Sequence, residues 1–267
     1  MQAGLVAKDT QLKLQDVRFI APDDKMRCPS ALTVTGFSEV EVKGCEFEGF
    51  DFTIQAGDGA RGVVADCIIR KPGHCGITVG NGGKLEVTGN IVTGSEFHAI
   101  RCTGGELIAK NNLIIANKNR GFYLGNKAAR GEIRNNAIVG NGTGISGFGG
   151  SEVEISNNYI ADSDFAGIDM RDQCRLKIDR NVIVNNARGI VLFKEAGENK
   201  NTILINALGG NKTETEGFEK AFDIERVDAS KSPSDGRFVL ENARGFGLSE
   251  PEPIEELWQK YRAAAKN

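Results

Sequence analysis

Several features that mark other protein classes are scarce or missing in this chain of 267 residues. No apolar run approaches the roughly 18 residues that a membrane-spanning helix needs, and the first residues lack the charged-then-apolar pattern of a secretion signal. Lys and Arg number 33 against 36 Asp and Glu, so no net positive field favours nucleic acid or an anionic membrane. We therefore expect neither nucleic acid nor a membrane as a partner.

Metal-binding and redox motifs are also missing. The chain has two histidines, His74 and His98, and its six cysteines form no C-x-x-C pair, which argues against zinc and dithiol chemistry. We expect no metal site from the side chains themselves. Proline contributes six residues and glycine 34, which fits a chain with many turns around a narrow core.

What the chain does contain is an internal repeat that runs from Leu85 to Leu192. The phrases TGNIV, NNLII, NNAIV, NNYIA and RNVIV recur, and the last asparagine of each phrase lies 22, 24, 22 and 23 residues from the one before. These asparagines are Asn90, Asn112, Asn136, Asn158 and Asn181. Cys45 and Cys67 occupy the same position in two earlier repeats. A repeat this regular fixes the architecture before any other feature is considered.

Each repeat alternates apolar and polar residues over short stretches between Gly, Asn and Asp turns, which predicts strands. A leucine-rich repeat has a similar period, but its leucine-dense consensus and helical segment are absent here. A solenoid of strands, with each coil hydrogen-bonded to the next about 4.8 Å away, fits better. We expect the asparagines to point inward, to adopt left-handed backbone angles at tight turns, and to bond the neighbouring coils.

Stacked Asn-x-Ile turns at this spacing resemble the right-handed parallel β-helix of the pectate-lyase-like superfamily, over about residues 12–208. The resemblance implies an all-β fold, a right-handed single-stranded parallel β-helix with coils of 22–24 residues. That superfamily includes lyases, glycosidases, epimerases, esterases, phage tailspikes and proteins without known catalysis, so the fold alone does not give the function. The resemblance also implies export or cell-surface display, and calcium is suggested as a cofactor by the resemblance only.

The sequence predicts two parts, a β-helix over residues 1–208 and a largely irregular extension over 209–267. Residues 12–20 are read as the first coil, with Val17 pointing inward. In the extension we expect one strand at 237–240 and an amphipathic helix over 253–265, which either packs on the solenoid or caps its end. No comparable cap precedes the first coil, so we expect another subunit or a missing segment to cover that end.

Side chains alternate along a strand, so the residue after each inward apolar anchor should point outward. This predicts two neighbouring rows on the outer surface. The outer row is Thr78, Arg101, Tyr123, Ser146, Asp169 and Val191. The flanking row is Cys75, His98, Arg120, Thr143, Ala166 and Arg188.

These rows suggest a binding surface for an acidic polysaccharide. Guanidinium groups offer forked donors to carboxylate or sulfate, and a tyrosine ring offers a stacking face to a sugar. The predicted substrate-binding residues are Arg101, Arg120, Tyr123, Asp169 and Arg171. If the protein is catalytic, lyase or epimerase chemistry would use Arg101, Tyr123 or His98 as a base beside a uronate carboxylate.

No complete catalytic motif is present, so whether the chain is an enzyme stays open. Glycoside hydrolysis needs two carboxylates at set distances, and Asp162 and Asp164 fit a turn better than such a pair. The alternative is a non-catalytic repeat scaffold or protein-interaction module. The redox state of Cys45 and Cys67 is also open: adjacent coils bring Cα atoms within disulfide range, but buried thiols commonly act as small apolar fillers.

Overall fold

A computed structural model describes residues 4–22, 29–193, 202–203, 206–217, 224–226 and 247–264. Within them the chain winds as short parallel strands and ends in one helix, α1, at Glu252–Ala264. The strands in chain order are β1 (Leu5–Lys8), β2 (Gln11–Gln15), β3 (Arg18–Ile20), β4 (Ser30–Thr35), β5 (Glu39–Lys43), β6 (Glu46–Glu48), β7 (Phe52–Ala56), β8 (Arg61–Ala65), β9 (Ile68–Arg70), β10 (Cys75–Val79), β11 (Lys84–Thr88), β12 (Ile91–Thr93), β13 (His98–Cys102), β14 (Glu106–Lys110), β15 (Leu113–Ile115), β16 (Arg120–Gly125), β17 (Arg130–Arg134), β18 (Ala137–Val139), β19 (Thr143–Phe148), β20 (Glu152–Ser156), β21 (Tyr159–Ala161), β22 (Ala166–Met170), β23 (Arg175–Asp179), β24 (Val182–Val184), β25 (Arg188–Leu192), β26 (Thr202–Ile203), β27 (Asn206–Gly209), β28 (Thr213–Glu216) and β29 (Ile224–Arg226).

Three parallel sheets run along the coil, because each strand pairs with the strands one coil earlier and one coil later. Sheet A joins β1, β4, β7, β10, β13, β16, β19, β22, β25 and β28; sheet B joins β2, β5, β8, β11, β14, β17, β20, β23 and β26; sheet C joins β3, β6, β9, β12, β15, β18, β21, β24, β27 and β29. In sheet A, Ile100 lies between Ile77 and Phe122 in register, and these buried side chains fill the interior. The prediction of a parallel β-helix solenoid with a C-terminal helix is confirmed.

A ladder of asparagines stabilises the turn between sheets B and C. The side-chain Nδ2 of Asn136 donates to the carbonyl oxygens of Ala109 at 3.0 Å and Arg134 at 2.9 Å, and to Asn158 Oδ1 at 3.0 Å. Its own Oδ1 accepts from the backbone N–H of Asn112 at 3.0 Å. The same arrangement repeats at each predicted asparagine, so the inward stack is confirmed. Each side chain satisfies buried backbone groups that the turn would otherwise leave unpaired.

The prediction that the ladder asparagines adopt left-handed angles is wrong. The positive φ belongs to the residue before each of them, with 56° at Asn111, 53° at Asn135 and 55° at Asn157. The turn reverses at that residue, so the ladder side chain that follows points inward from an ordinary backbone. Asn, Asp and Gly are frequent at the preceding position because they tolerate this conformation.

A second ladder, not predicted, lies at the turn between sheets C and A. Asn117 Nδ2 donates to Val92 O at 3.2 Å and to Asn141 Oδ1 at 2.9 Å, and Asn186 repeats the pattern with Asn211. Ser163 replaces asparagine between these pairs, and its backbone N–H still donates to Asn186 Oδ1 at 2.9 Å. The serine interruption weakens the repeat in the sequence.

Both ends of the solenoid differ from the expectation. Strand β1 precedes the coil that the sequence predicted as the first. Val17 takes the corner position of Cys45, because Arg18 pairs with Glu46 in register, and it is 39% exposed because β3 is the edge strand of sheet C. Strands β28 and β29 continue sheets A and C beyond residue 208, where irregular chain was expected. The strand expected at 237–240 lies outside the described residues, and the division at residue 208 stays a prediction.

Helix α1 packs on the flank of the solenoid, which decides between the two predicted positions. Its Ile254 and Leu257 are buried against the apolar outer face of sheet C, where Tyr159 lies. Asn135 fixes the preceding segment, because its side chain donates to Glu250 O at 2.7 Å and accepts from Glu250 N at 2.9 Å. The outer face of sheet C is therefore largely closed by the chain itself.

The cysteines of the described chain are free and buried. Cys67 takes the ladder position: its backbone N–H donates to Asn90 Oδ1 at 2.9 Å and its thiol donates to Ala65 O at 3.1 Å. Burial raises the pKa of the Cys67 thiol to about 12. In this structure Cys45 and Cys67 act as small apolar fillers, not as a disulfide.

Candidate functional site

The two predicted rows run along the outer face of sheet A. Register pairs join Thr78 to Arg101, Arg101 to Tyr123, Tyr123 to Ser146 and Ser146 to Asp169. In the flanking row, Cys75 pairs with His98, His98 with Arg120 and Arg120 with Thr143. Parallel strands about 4.8 Å apart therefore bring His98, Arg101, Arg120 and Tyr123 together on two neighbouring coils.

A continuous run of rings crosses these rows. Tyr123 stacks on His98 with centroids 4.7 Å apart and planes within 3°, and on Phe148 at 5.5 Å. The centroid of the Phe97 ring lies 3.9 Å from that of His98 and 4.7 Å from that of His74. His74 in turn lies 4.6 Å from Phe52 on β7. We call the outer surface that carries these rings, from Phe52 to Phe193, the ring face.

Arginine side chains extend the ring face toward the C-terminal coils. The Arg120 guanidinium carbon lies 5.5 Å from the centre of the Tyr123 ring and 5.2 Å from that of Phe148. Arg171 lies 4.2 Å from the centre of the Phe193 ring, and Arg188 lies 4.3 Å from that of Phe165. Such contacts hold each cation over an aromatic face while leaving polar edges for a ligand.

Asp169 lies beneath this surface and is only 1% exposed. Arg171 binds the Asp169 carboxylate in a bidentate manner, because its Nε lies 3.1 Å from both oxygens and its Nη2 lies 3.0 Å from Oδ2. A bidentate ion pair of this kind fixes the guanidinium geometry. In this state Asp169 orients Arg171 and does not itself face solvent.

Burial and neighbouring cations hold His98 neutral. Desolvation by burial is the largest cause, and the charges of Arg120, Arg101 and His74 add to it, so that the pKa of His98 is lowered to about 3. Burial followed by Arg101 also lowers the pKa of His74. Burial raises the pKa of Cys75 to about 11 despite the Arg101 guanidinium beside it, so this thiol is protonated although His74 Nδ1 lies 3.0 Å away. The cluster thus carries its charge on arginines.

Gly125 makes room for the Tyr123 ring. A Cβ atom at residue 125 would lie 2.6 Å from Tyr123 Cε1 and 2.9 Å from Cζ. Contacts this short do not occur for real Cβ atoms. The absence of a side chain at this outward position therefore allows the ring to lie flat between His98 and Phe148.

Comparison with known proteins agrees with this architecture. The model of the family described as right handed beta helix region matches residues 25–114 and 103–220. The chain belongs to this family. A solved structure of a double mutant of the periplasmic alginate epimerase AlgG is similar to it, with a TM-score of 0.49, 12% identity, and coverage of 83% of this chain and 75% of that chain. An overlap this loose carries no functional argument. No protein of the curated set matches the sequence.

Other classes of site are not visible in the described part of this β-helix. No group of three or more His, Cys, Asp or Glu residues there is placed to hold a metal ion. None of the described helices is long and apolar enough to cross a bilayer. A groove of about 740 Å³ does lie over sheet B, but paired charges such as Lys13 and Glu41 line it.

Sequence reasoning missed most of the rings on the ring face. Phe97 and Phe165 each lie two residues before an Ala or Gly that opens the inward pattern, as do His74 and Asn119 in other coils. That spacing could have identified a third row. Phe148 pairs in register with Gly125 and lies two residues after Ser146 of the outer row, so alternation along the strand could have identified it.

Proposed function

We propose that the ring face of sheet A binds an acidic polysaccharide that lies across its strands. The observation that carries the proposal is the uninterrupted sequence of ring and guanidinium contacts from Phe52 on β7 to Phe193 after β25. Seven strands of sheet A lie in this interval, which corresponds to about 30 Å along the solenoid axis. A surface of that length suits a chain of several sugars.

The charge of the ring face favours an anionic ligand. Within the described residues, Arg101 and Arg120 form no ion pair with a carboxylate, whereas Arg171 and Arg188 are held by Asp169 and Glu216. Arg120 Nη1 donates to Asn119 Oδ1 at 3.0 Å, but neither this guanidinium nor that of Arg101 has a carboxylate partner in the described residues. Aromatic rings beside such guanidinium groups supply both the stacking surface and the forked donors that an acidic sugar needs. This combination distinguishes the ring face from an ordinary solvated surface.

Binding is better supported than proton abstraction. A pKa of about 3 makes His98 a weak base near neutral pH. Tyr123 and Arg101 are the other candidates for a base beside a uronate, and they lie next to each other in register. Lyase or epimerase activity is therefore a separate question that the same substrates can answer.

The test compares polymer binding across matched variants. Polygalacturonate, alginate, dextran sulfate and neutral dextran are titrated against the wild type, the double variant R101A/R120A, and R130A, which removes a cation from sheet B instead. We expect at least one acidic polymer to bind, about tenfold or more weaker binding with R101A/R120A, and no change with R130A. Absorbance of unsaturated uronate in the same mixtures reports lyase activity.

Two results would overturn the proposal. One is that no polymer binds, and the other is that R101A/R120A binds as tightly as the wild type while melting at the same temperature. Either would leave the non-catalytic scaffold as the better description.

A further inference from the structure

Three polar atoms on the ring face are buried and have no hydrogen-bond partner within the described residues: Thr78 Oγ1, His98 Nδ1 and Arg120 Nε. His98 is only 2% exposed, and it lies beside Arg120 in register on the neighbouring strand. Leaving a buried donor or acceptor unpaired costs about 1–3 kcal/mol, so such atoms are rare. Because His98 and Arg120 pair in register, one ligand oxyanion placed between them would satisfy both Nδ1 and Nε.

The groups around His98 are donors. Arg101 and Arg120 both act on the imidazole as positive charges, and His74 adds to the same effect. The carboxylate whose charge acts on Arg120 is Asp169, which Arg171 already binds. Glu96, on the turn before β13, pairs with Lys118 at 2.6 Å. The ligand oxygen that would satisfy this cluster therefore comes from outside the described chain.

The number and direction of the donors constrain the ligand. A carboxylate is planar, has two oxygens, and is satisfied by one forked guanidinium. Here two guanidinium groups on adjacent strands lie beside an imidazole whose Nδ1 donates when it carries the proton. Arg120 Nη1 already donates to Asn119 Oδ1 at 3.0 Å, and its Nε has no partner in the described residues. Three donor groups suit the three terminal oxygens that a sulfate or phosphate ester presents.

We propose that His98, Arg101 and Arg120 form a subsite for a tetrahedral oxyanion carried on a sugar, namely a sulfate or phosphate ester. The inference rests on the proposed function, because it names the substituent that the ring face recognises. The guanidinium N–H groups of Arg120 and Arg101 donate to the ester oxygens, and His98 lies at the base of the subsite. Tyr123, stacked on His98, supports the sugar ring next to it.

Three kinds of probe test the subsite. Dextran sulfate is compared with polygalacturonate by calorimetry, and inorganic sulfate, inorganic phosphate and acetate are titrated while the ring nitrogens of His98 are followed by NMR. We expect dextran sulfate to bind about tenfold or more tightly than polygalacturonate of similar length. We also expect sulfate and phosphate, but not acetate, to shift the His98 signals, with the larger of the two shifts identifying the favoured ester.

Variants localise the effect. R120A should weaken dextran sulfate binding about tenfold, R120K should restore part of it, and R130A on sheet B should leave it unchanged. Melting temperatures and circular dichroism check that each variant folds. If R120A instead weakens polygalacturonate and dextran sulfate equally, recognition of the ester is wrong.

The outcomes separate the two proposals. Equal or tighter binding of polygalacturonate overturns the tetrahedral subsite and leaves the acidic-polysaccharide proposal intact. Shifts of His98 with sulfate but no binding of any polymer support the subsite and overturn the polysaccharide proposal. No shift with either inorganic anion overturns the subsite.

Discussion

Sheets A and B share the same coils and the same spacing, yet the charged side chains on their outer faces have different partners. On sheet B, charges of opposite sign follow one another along the axis, as in Lys13–Glu41 at 3.1 Å and Arg130–Glu152 at 3.2 Å. These partners are direct neighbours in register. On the ring face of sheet A, aromatic rings replace the carboxylates, and in the described residues Arg101 and Arg120 keep no acidic partner.

The difference shows that the fold does not require unpaired cations. A β-helix of this pitch can place a carboxylate one coil away from any cation, about 4.8 Å along the axis, as sheet B does repeatedly. The ring face therefore carries charge that the solenoid does not use for its own stability. The outer face of sheet C differs from both, because it is apolar and α1 packs on it.

Removing a ladder asparagine should have the largest effect, because both faces depend on the same stacked coils. N136A removes bonds to two backbone carbonyls and to the N–H of Asn112. We expect a loss of about 3 kcal/mol or more in the free energy of unfolding, measured by denaturant titration. The control is N157G at the neighbouring left-handed position, where glycine should be tolerated within about 0.5 kcal/mol. Equal effects from both variants would contradict the role of the ladder.

Acidification should destabilise the ring face through His98. The folded pKa of about 3 lies below the ordinary 6.5, so the neutral form stabilises the fold above pH 6.5 and this contribution is lost as the pH falls toward 3. Between pH 7 and pH 5 the loss from His98 is about 2 kcal/mol. H98Q should show a correspondingly flatter slope of unfolding free energy against pH, and His74, whose pKa is also lowered, contributes to the slope in the same direction. An unchanged slope in H98Q would show that His98 titrates normally.

A methyl group at Gly125 should disturb the ring face without touching sheet B. G125A places its Cβ against the Tyr123 ring, which must leave its position between His98 and Phe148. We expect a loss of about 1–2 kcal/mol in unfolding free energy and weaker binding of the acidic polymer. The control is G57A, where the new Cβ would have its closest contact at 3.9 Å. Identical binding by G125A and wild type would show that Tyr123 does not contribute.

The sequence predicted the parts of this molecule that depend on local repetition. Asn112 and Asn136 recur at the coil spacing, so their stacking followed from periodicity alone. The outward row also followed, because alternation along a strand is strictly local. The position of Arg171, two residues after Asp169 on the same face, could be predicted from the sequence, but its ion pair with Asp169 could not.

What escaped prediction depends on contacts between coils. The stacking of Tyr123 on His98 joins two strands, and nothing in either repeat requires the rings to meet. The pairing that buries Asp169 depends on the rotamer of Arg171. Val17 occupies the corner position of Cys45, because Arg18 pairs with Glu46 in register, yet it is 39% exposed because β3 is the edge strand of sheet C. Ring contacts between coils, ion-pair geometry and exposure at an edge are thus set by tertiary packing.

The smallest expected effect tests whether rings are needed in addition to charge. Glu86 pairs with Lys110 at 2.6 Å and Glu154 with Lys177 at 3.7 Å, and all four side chains are partly exposed. The double variant E86Q/E154Q should change the unfolding free energy by less than about 1 kcal/mol, because exposed ion pairs contribute little. It frees two lysines on sheet B, but that surface has no stacked rings, so we expect dextran sulfate binding to rise less than about twofold. Binding at sheet B that matched the ring face, measured in an R101A/R120A background, would mean that unpaired charge alone is sufficient.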